Sequence, residues 1–479
     1  MSTVPGQFPA FEIKRHKVFL ASVCILAISA VTALIQLGSL GPSDVVYVFL
    51  AGVVVLSSFA FLLHPFVNLG LTVFYLIGTI AFLLEAGFVS VAIAVLLIWN
   101  CFAGIVLVSG FKLPFPPGSL RVPLLLCLIA AFGAVYGIAR GNRASWAMGD
   151  GYQIVEFALL FFLTQVLVKT EKQFQTMANV IVGTVIAASA LQTADGLMGA
   201  SYLPHLNQRG VDVARTINLN APIAFVVLLA TLTVAKTKKW ILAGMGILAV
   251  NLIWSFTRGL WVATFVSALF LLMLLRSRAR RTILKWAFAS CLIVTPVLYA
   301  SGLGSVIVDR IGFSVVQFSS ASEENQVQSG RRILEYLLIL PQVAEHPIVG
   351  KGLGATFEIA GDAILEGPKG EQVDHHYIHD LYLQVAFRLG VPVLIIFLVL
   401  LWKYFRRCIK NLRTLNLSPE NSAVMAGLIA AMLGEAVLSL TSPTILNHPT
   451  AGLIGCIMAM TVTALRPGLS RRPEDLAAN

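Results

Sequence analysis

Charge is scarce in this sequence. Asp, Glu, Lys and Arg make up 12% of the 479 residues, against 57% hydrophobic, and a soluble domain carries about twice that charged fraction. No long polar stretch could hold a second core, so one membrane domain is expected rather than several soluble ones. Cysteine is sparse too. Of Cys24, Cys101, Cys127, Cys291, Cys408 and Cys456, five lie in apolar runs, Cys408 lies in a basic loop, and none forms a CxxC pair. That excludes a disulfide framework and a cysteine-metal site. No repeat of about 20–50 residues and no low-complexity tract stands out, which argues against a solenoid or an array.

What the chain has in abundance is apolar runs of about 20 residues, each long enough to span a bilayer core. They predict an all-α, polytopic membrane protein. Fourteen spans (twelve at the least) fall near residues 18–37, 45–63, 69–84, 88–109, 122–139, 152–168, 176–197, 218–235, 240–255, 259–276, 284–301, 381–404, 422–440 and 449–465. The first run follows Lys14, Arg15 and Lys17, as a signal peptide would. It is too long for a signal h-region and more spans follow, so it reads as an uncleaved first helix.

The formal charge of +11 would raise nucleic acid as a partner for a soluble protein. Here basic residues marking cytoplasmic loops explain it better. With the N-terminus inside, 23 of the 34 Lys and Arg fall in inner segments, including the clusters "KTKK", "RSRARR" and "KYFRRCIK". Both ends are then cytoplasmic: a tail at 1–17, eleven spans over 18–301, an outer loop at 302–380, three spans over 381–465 and a tail at 466–479.

The outer loop of 79 residues is too long for a mere connection in a compact protein. Its "GRRILEYLLILPQVAEHP" carries Ile333, Leu334, Leu337, Leu338 and Leu340 at the spacing of an amphipathic helix. It ends in "DHHYIHD", which holds three of the chain's eight histidines, His375, His376 and His379, between Asp374 and Asp380. His375 and His379 are four apart and with either aspartate could ligate zinc. The glutamate of an HExxH motif is missing, no outer cysteine helps, and a solvated loop is the commoner setting for such histidines, so no metal is expected. "GKGLG" at 350–354 lacks the strand and the spacing of a nucleotide loop and reads as a turn.

The arginines left on the outer side are the second signal. Arg258 in "SFTRGLWVA" lies between two apolar spans, Arg215 ends an external loop, and Arg331 and Arg332 open the loop helix. One arginine at membrane depth can simply snorkel to the interface. Several converging against the positive-inside bias suit phosphate oxygens, which guanidinium forks bind bidentately.

"RRILEYLLILPQVAEHPIVGKGLG" followed by "HDLYLQVAFRLGVPVL" resembles the O-antigen ligase and polymerase family of bacterial envelopes. The family's Arg, aromatic, Pro, Gly-x-Gly, His-Asn, Tyr-Leu and Leu-Gly positions fall on Arg332, Tyr336, Pro347, Gly350, Gly352, His379, Tyr382, Leu383, Leu389 and Gly390. "SFTRGLWVA" is similar to its Ser-x-x-Arg-Gly element, putting a second family arginine on Arg258. The departure is Asp380, where the family usually has Asn. The likeness covers roughly residues 250–400. It implies a membrane glycosyltransferase of GT-C-like type, without a soluble catalytic domain or a cofactor, in the bacterial inner membrane. The 302–380 loop and the active site would be periplasmic. The implied donor is a glycan on undecaprenyl diphosphate; the acceptor is another lipid-linked repeat (polymerase) or lipid A–core (ligase), with the span count tilting the reading to the polymerase. Arg258 and Arg332, and more weakly Arg215, would bind the diphosphate and His379 would take the acceptor proton, with His375, His376, Asp380 and Tyr382 as neighbours or acceptor contacts. Beyond donor and acceptor, membrane lipids are the expected partners. A transporter or flippase of lipid-linked sugars is the alternative. Glu85, Glu156 and Glu435 lie near or in spans, yet no repeated halves appear, and His and Arg gather on one face, which favours the enzyme.

Overall fold

The computed structural model describes residues 53–82, 87–109, 118–198, 219–255, 257–300, 335–358, 374–412, 417–446 and 450–464. The first expected span, both tails, Arg215, Arg331, Arg332 and much of the 302–380 loop fall outside these residues. The helices, in chain order, are α1 (Pro65–Phe82), α2 (Gly87–Ser109), α3 (Arg121–Ala139), α4 (Ala144–Leu167), α5 (Glu171–Met198), α6 (Ala221–Thr231) and α7 (Lys239–Trp254). There follow α8 (Arg258–Leu274), α9 (Ser277–Ala300), α10 (335–345), α11 (Leu381–Leu389), α12 (Val391–Leu412), α13 (Pro419–Leu438) and α14 (Thr450–Ala464). A two-residue antiparallel pairing, β1 (Phe357–Glu358) with β2 (Asp374–His375), interrupts the helices. Among the described residues, five helical stretches are long and apolar enough to cross a membrane. They are Val91–Ser109, Arg121–Ala139, Ala144–Leu167, Glu171–Ala194 and Pro419–Leu438, and shorter apolar helices stand beside them. The protein is a helical membrane protein.

The chain divides into two compact units, residues 1–124, 156–224 and 448–479 in one, 125–155 and 225–447 in the other. In the first, α1 packs on α2 and α5, and α14 packs on α1 and α5. Glycines allow the approach of α14. A side chain at Gly452 would meet Leu160 at 2.6 Å, and one at Gly455 would meet the Phe157 carbonyl at 2.5 Å. Lipid tails are as apolar as leucine, so such close van der Waals contact, not water exclusion, holds membrane helices together.

The second unit carries the outer loop. Its main helix pair is α8 on α13. Leu260, Ala263, Ser267 and Leu271 form the buried stripe of α8, and Gly434 of α13 sits against Ser267 and the Ala263 carbonyl. Helix α3 is two-faced. Leu124, Leu128, Phe132 and Val135 are exposed at spacings of four, four and three, as a lipid-facing stripe would be. Its small residues, Ala130, Gly133 and Gly137, face Leu353 and Leu389.

One expectation is corrected here. Residues 381–404 are not one continuous span: the helix breaks at Gly390, whose φ of 89° is open to glycine. A side chain there would strike the Ile348 carbonyl. The nine-residue α11 that precedes the break is almost wholly buried. The expected loop helix is present as α10. Ile339 is fully buried and Glu335 nearly so, while Leu337 and Leu340 are exposed.

Candidate active site

His379 stands at the end of the outer loop, directly before α11. Glu335, the first described residue of α10, grips it twice. Oε1 accepts the His379 backbone N–H at 2.7 Å, and Oε2 lies 3.0 Å from the ring Nδ1. The carboxylate is buried, at 8% side-chain exposure, whereas the imidazole is 49% exposed. The ring is thus held from its inner edge and offers its outer edge. Tyr377 meets it edge to face, with centroids 5.0 Å apart.

The next residue on each strand of this contact is paired as well. The Tyr336 hydroxyl donates to Asp380 Oδ2 at 2.5 Å. Asp380 Oδ1 accepts the Leu383 N–H at 2.9 Å, making Asp380 the N-cap of α11. The unusual aspartate therefore has a structural explanation: it starts the helix that begins one residue after the histidine. Tyr382 donates its hydroxyl to the Ala436 carbonyl at 2.7 Å and ties α11 to α13.

A second cluster lies behind the loop. Arg388, buried in α11, donates to Asp150 Oδ1 at 2.8 Å and also to the His376 carbonyl. Asp150 Oδ2 accepts the Gly354 N–H at 2.7 Å and lies 3.4 Å from His376 Nε2. The His376 ring packs on Trp146, centroids 4.8 Å apart, and Arg143 covers Trp146 at 4.5 Å. The "GKGLG" stretch is indeed a turn, with Gly350, Gly352 and Gly354 all at positive φ. Its Lys351 and Gly352 N–H groups donate to the Phe387 and Arg388 carbonyls at 2.8 and 2.9 Å, closing the C-terminal end of α11. Asn142 donates to the Lys351 and Leu353 carbonyls, both at 3.0 Å. The turn lies so close to α3 that a side chain at Gly352 would collide with the Gly137 backbone.

Arg258 is the first residue of α8 and is half-buried. The Thr257 hydroxyl, which could have capped that helix, donates instead to the Ser255 carbonyl at 3.0 Å. Gly259 abuts Thr441, since a side chain there would come within 2.8 Å of Thr441 Oγ1. One residue on, Ser442 Oγ is 3.5 Å from the Tyr377 hydroxyl, and the Leu381 N–H donates to the Ser439 carbonyl at 2.9 Å. The turn after α13 thereby links the start of α8 to the His379 loop. His376, His379, Asp380, Tyr382 and Arg258 are all within the second unit. Arg215 and Arg332 lie outside the described residues, and so does the His375 side chain. Among the described residues no group of three or more His, Cys, Asp or Glu could hold a metal ion.

Sequence reading missed Glu335, Asp150, Arg388 and the Thr441–Ser442 turn. Glu335 stands in an apolar stretch whose next charged residue is Glu345, but Arg331 and Arg332 precede it by four and three positions and offer it a local pairing, which masked any signal. Asp150 and Arg388 are 238 positions apart, and no local pattern joins them.

No curated protein matches the chain at a significant level. Residues 243–398, about a third of the chain, match the model of a family described as O-antigen ligase. That stretch holds Arg258, Glu335, the glycine turn, His379 and α11, and over it the chain is similar to the O-antigen ligase family.

Proposed function

We propose that this protein is an inverting, metal-independent glycosyltransferase. It moves a glycan from undecaprenyl diphosphate to a sugar hydroxyl at the periplasmic face of the bacterial inner membrane. The observation that carries the reading is the half-exposed His379, anchored by its inner edge, on a loop joined through the 439–442 turn to the helix that Arg258 begins.

The chemistry asks for two things. A hydroxyl attacking the anomeric carbon must lose its proton at neutral pH, which suits an imidazole. The diphosphate that leaves must have its developing charge met, and arginine does this without losing its own proton. In the proposed step the acceptor oxygen bonds to C1 from the face opposite the diphosphate. The C1–O bond to phosphate breaks with its electron pair, and the acceptor proton passes to His379. Undecaprenyl diphosphate departs with one more negative charge, and the proton is later released to water. Arg258 bears on the diphosphate, helped by the N-terminal dipole of α8, whose Thr257 side chain does not cap it. Arg332 and Arg215 complete the anion site in this reading. His375 and His376 border the acceptor.

Segment pairing supports the side of the membrane. Residues 142–150, 257–259, 335–358, 374–380 and 439–442 touch one another in this unit. The charge count assigns all of them to outer loops or the outer ends of spans. Fourteen spans and a long chain favour another lipid-linked repeat as acceptor, hence a polymerase.

The test is transfer by the purified protein in proteoliposomes, with a lipid-linked repeat alone, then with lipid A–core added, each with and without excess EDTA. Ladders without core identify a polymerase, and product only with core identifies a ligase. No transfer in either, or loss in EDTA that zinc or magnesium restores, overturns the reading or its metal independence respectively.

A further inference from the structure

We infer that Glu335 is the positioning residue that makes His379 a base: it fixes the imidazole tautomer and leaves Nε2 bare toward the acceptor. The inference rests on the reading of His379 as proton acceptor and adds a residue to it. The geometry is bidentate. One buried carboxylate takes both the backbone N–H and the ring Nδ1 of the same residue, at 2.7 and 3.0 Å. An ionised carboxylate only accepts hydrogen bonds, so Nδ1 must carry the hydrogen. A neutral imidazole has one N–H, and the lone pair then sits on Nε2, at the exposed edge of the ring. When Nε2 takes the acceptor's proton, the imidazolium forms beside a carboxylate already in contact with it, with no rearrangement. The ring's orientation is over-determined. Tyr377 stands perpendicular to it, and the adjacent Tyr336–Asp380 bond fixes the next residue, so two consecutive residues of α10 hold two consecutive residues of the loop.

The decisive variant is Glu335→Gln, which keeps shape and removes charge. An amide between two donors can accept from only one of them. If its oxygen keeps the backbone N–H, its NH₂ donates to Nδ1 and drives the ring hydrogen to Nε2. The base is then blocked although the fold is intact. Transfer by Glu335→Gln should fall about 10²-fold or more in kcat, with the KM for the lipid-linked donor unchanged. Glu335→Asp keeps the carboxylate on a shorter stem and should recover part of that loss. In protein labelled with ¹⁵N on its histidine rings, the His379 signal, identified by its absence in His379→Ala, should report Nδ1–H in the parent and Nε2–H in Glu335→Gln. Parental turnover by Glu335→Gln, or Nε2–H in the parent protein, overturns the inference. Should Glu335→Gln fail to fold, the parent's tautomer and the rate of Glu335→Asp still decide it. Normal transfer by His379→Ala would instead overturn the base reading itself, and the tautomer measurement would then stand apart from it.

Discussion

His376 and His379 are three residues apart on one loop, yet the protein treats them oppositely. His379 is held by its ring, through Glu335, and half of it is open. His376 is held by its backbone carbonyl, through Arg388, and its ring lies against Trp146 beside Asp150. A group that must accept a proton from a substrate needs a fixed orientation and an open edge. A group that anchors a loop needs its main chain pinned and its side chain covered. The two carboxylates differ in the same way: each accepts a backbone N–H, but Glu335 adds an imidazole nitrogen whereas Asp150 adds a buried guanidinium. Residue type alone makes the two histidines equivalent neighbours; in the sequence only the family likeness sets His379 apart. The partners that separate them are Glu335, 44 residues from His379, and Arg388, 12 residues from His376.

The sharpest break in that comparison is expected at His379. His379→Ala should lower transfer by about 10²–10⁴-fold, the usual contribution of a positioned base, with donor binding retained. Arg258→Lys should cost roughly 10²-fold, because the charge survives but the planar fork does not. Its loss should appear in donor binding as well. Radiolabelled donor retained on proteoliposomes, measured beside the rate, separates the two. Near-normal transfer by His379→Ala would remove the functional half of the comparison.

Arg388 should show the other behaviour. Arg388→Ala leaves Asp150 buried without its cation, and breaking such a pair costs about 3–5 kcal/mol. The expected outcome is a large fall in thermal stability in detergent, with the amount of folded protein limiting activity. Replacing both partners, as in Asp150→Leu with Arg388→Met, should recover much of the stability, since an apolar pair of similar volume avoids the desolvation cost. The Gly354 N–H would still lose its acceptor, so recovery should be incomplete. Full activity and stability in Arg388→Ala would mean that the pair does not hold the loop.

His376→Ala comes next and should be mild. Its carbonyl, which Arg388 uses, remains in alanine. The lost ring contact with Trp146 is worth about 0.5–1.5 kcal/mol, and the transfer rate should stay within about threefold of the parent, because the rotation of His379 is set elsewhere. A loss equal to that of His379→Ala would place both rings on the substrate and dissolve the distinction.

These contrasts also mark how far the sequence could be read. Spans were legible because lipid imposes long apolar runs: the runs near 88–109 and 122–139 became α2 and α3 with ends within one residue. The run at 381–404 was misjudged because one glycine, Gly390, resets the chain by a turn that average apolarity does not register. Helix α4 begins at Ala144 rather than near 152, and this earlier turn carries Asp150. A polar helical start at a membrane edge looks like loop by hydropathy. His379 and Arg258 drew attention as polar residues on the outer side of a greasy chain, and the family likeness is what assigned them roles. Glu335 was passed over because it sat inside a leucine stripe, where the apolar pattern claimed the whole helix face. Its partner was settled only by a contact across 44 residues.

The smallest expected effect concerns Asp380, where the family that the sequence resembles usually has Asn. The position has two tasks, to accept the Leu383 N–H at 2.9 Å and to meet the Tyr336 hydroxyl at 2.5 Å. Asn and Asp are nearly equal as N-caps, so the first task survives Asp380→Asn through the amide oxygen. The second survives in altered form: the amide NH₂ can donate to the Tyr336 oxygen, and the phenol then acts as acceptor. Asp380→Asn should therefore change stability by only a few tenths of a kcal/mol and leave transfer near the parental rate. Asp380→Ala keeps neither contact and should cost about 1 kcal/mol from the cap alone. The rate should also fall modestly, because His379 is the residue next to the freed position. Thermal midpoints and initial transfer rates for both variants, measured side by side, test this. If Asp380→Asn were as damaging as His379→Ala, the negative charge at 380 would be part of the chemistry, and the capping explanation of this departure would fail.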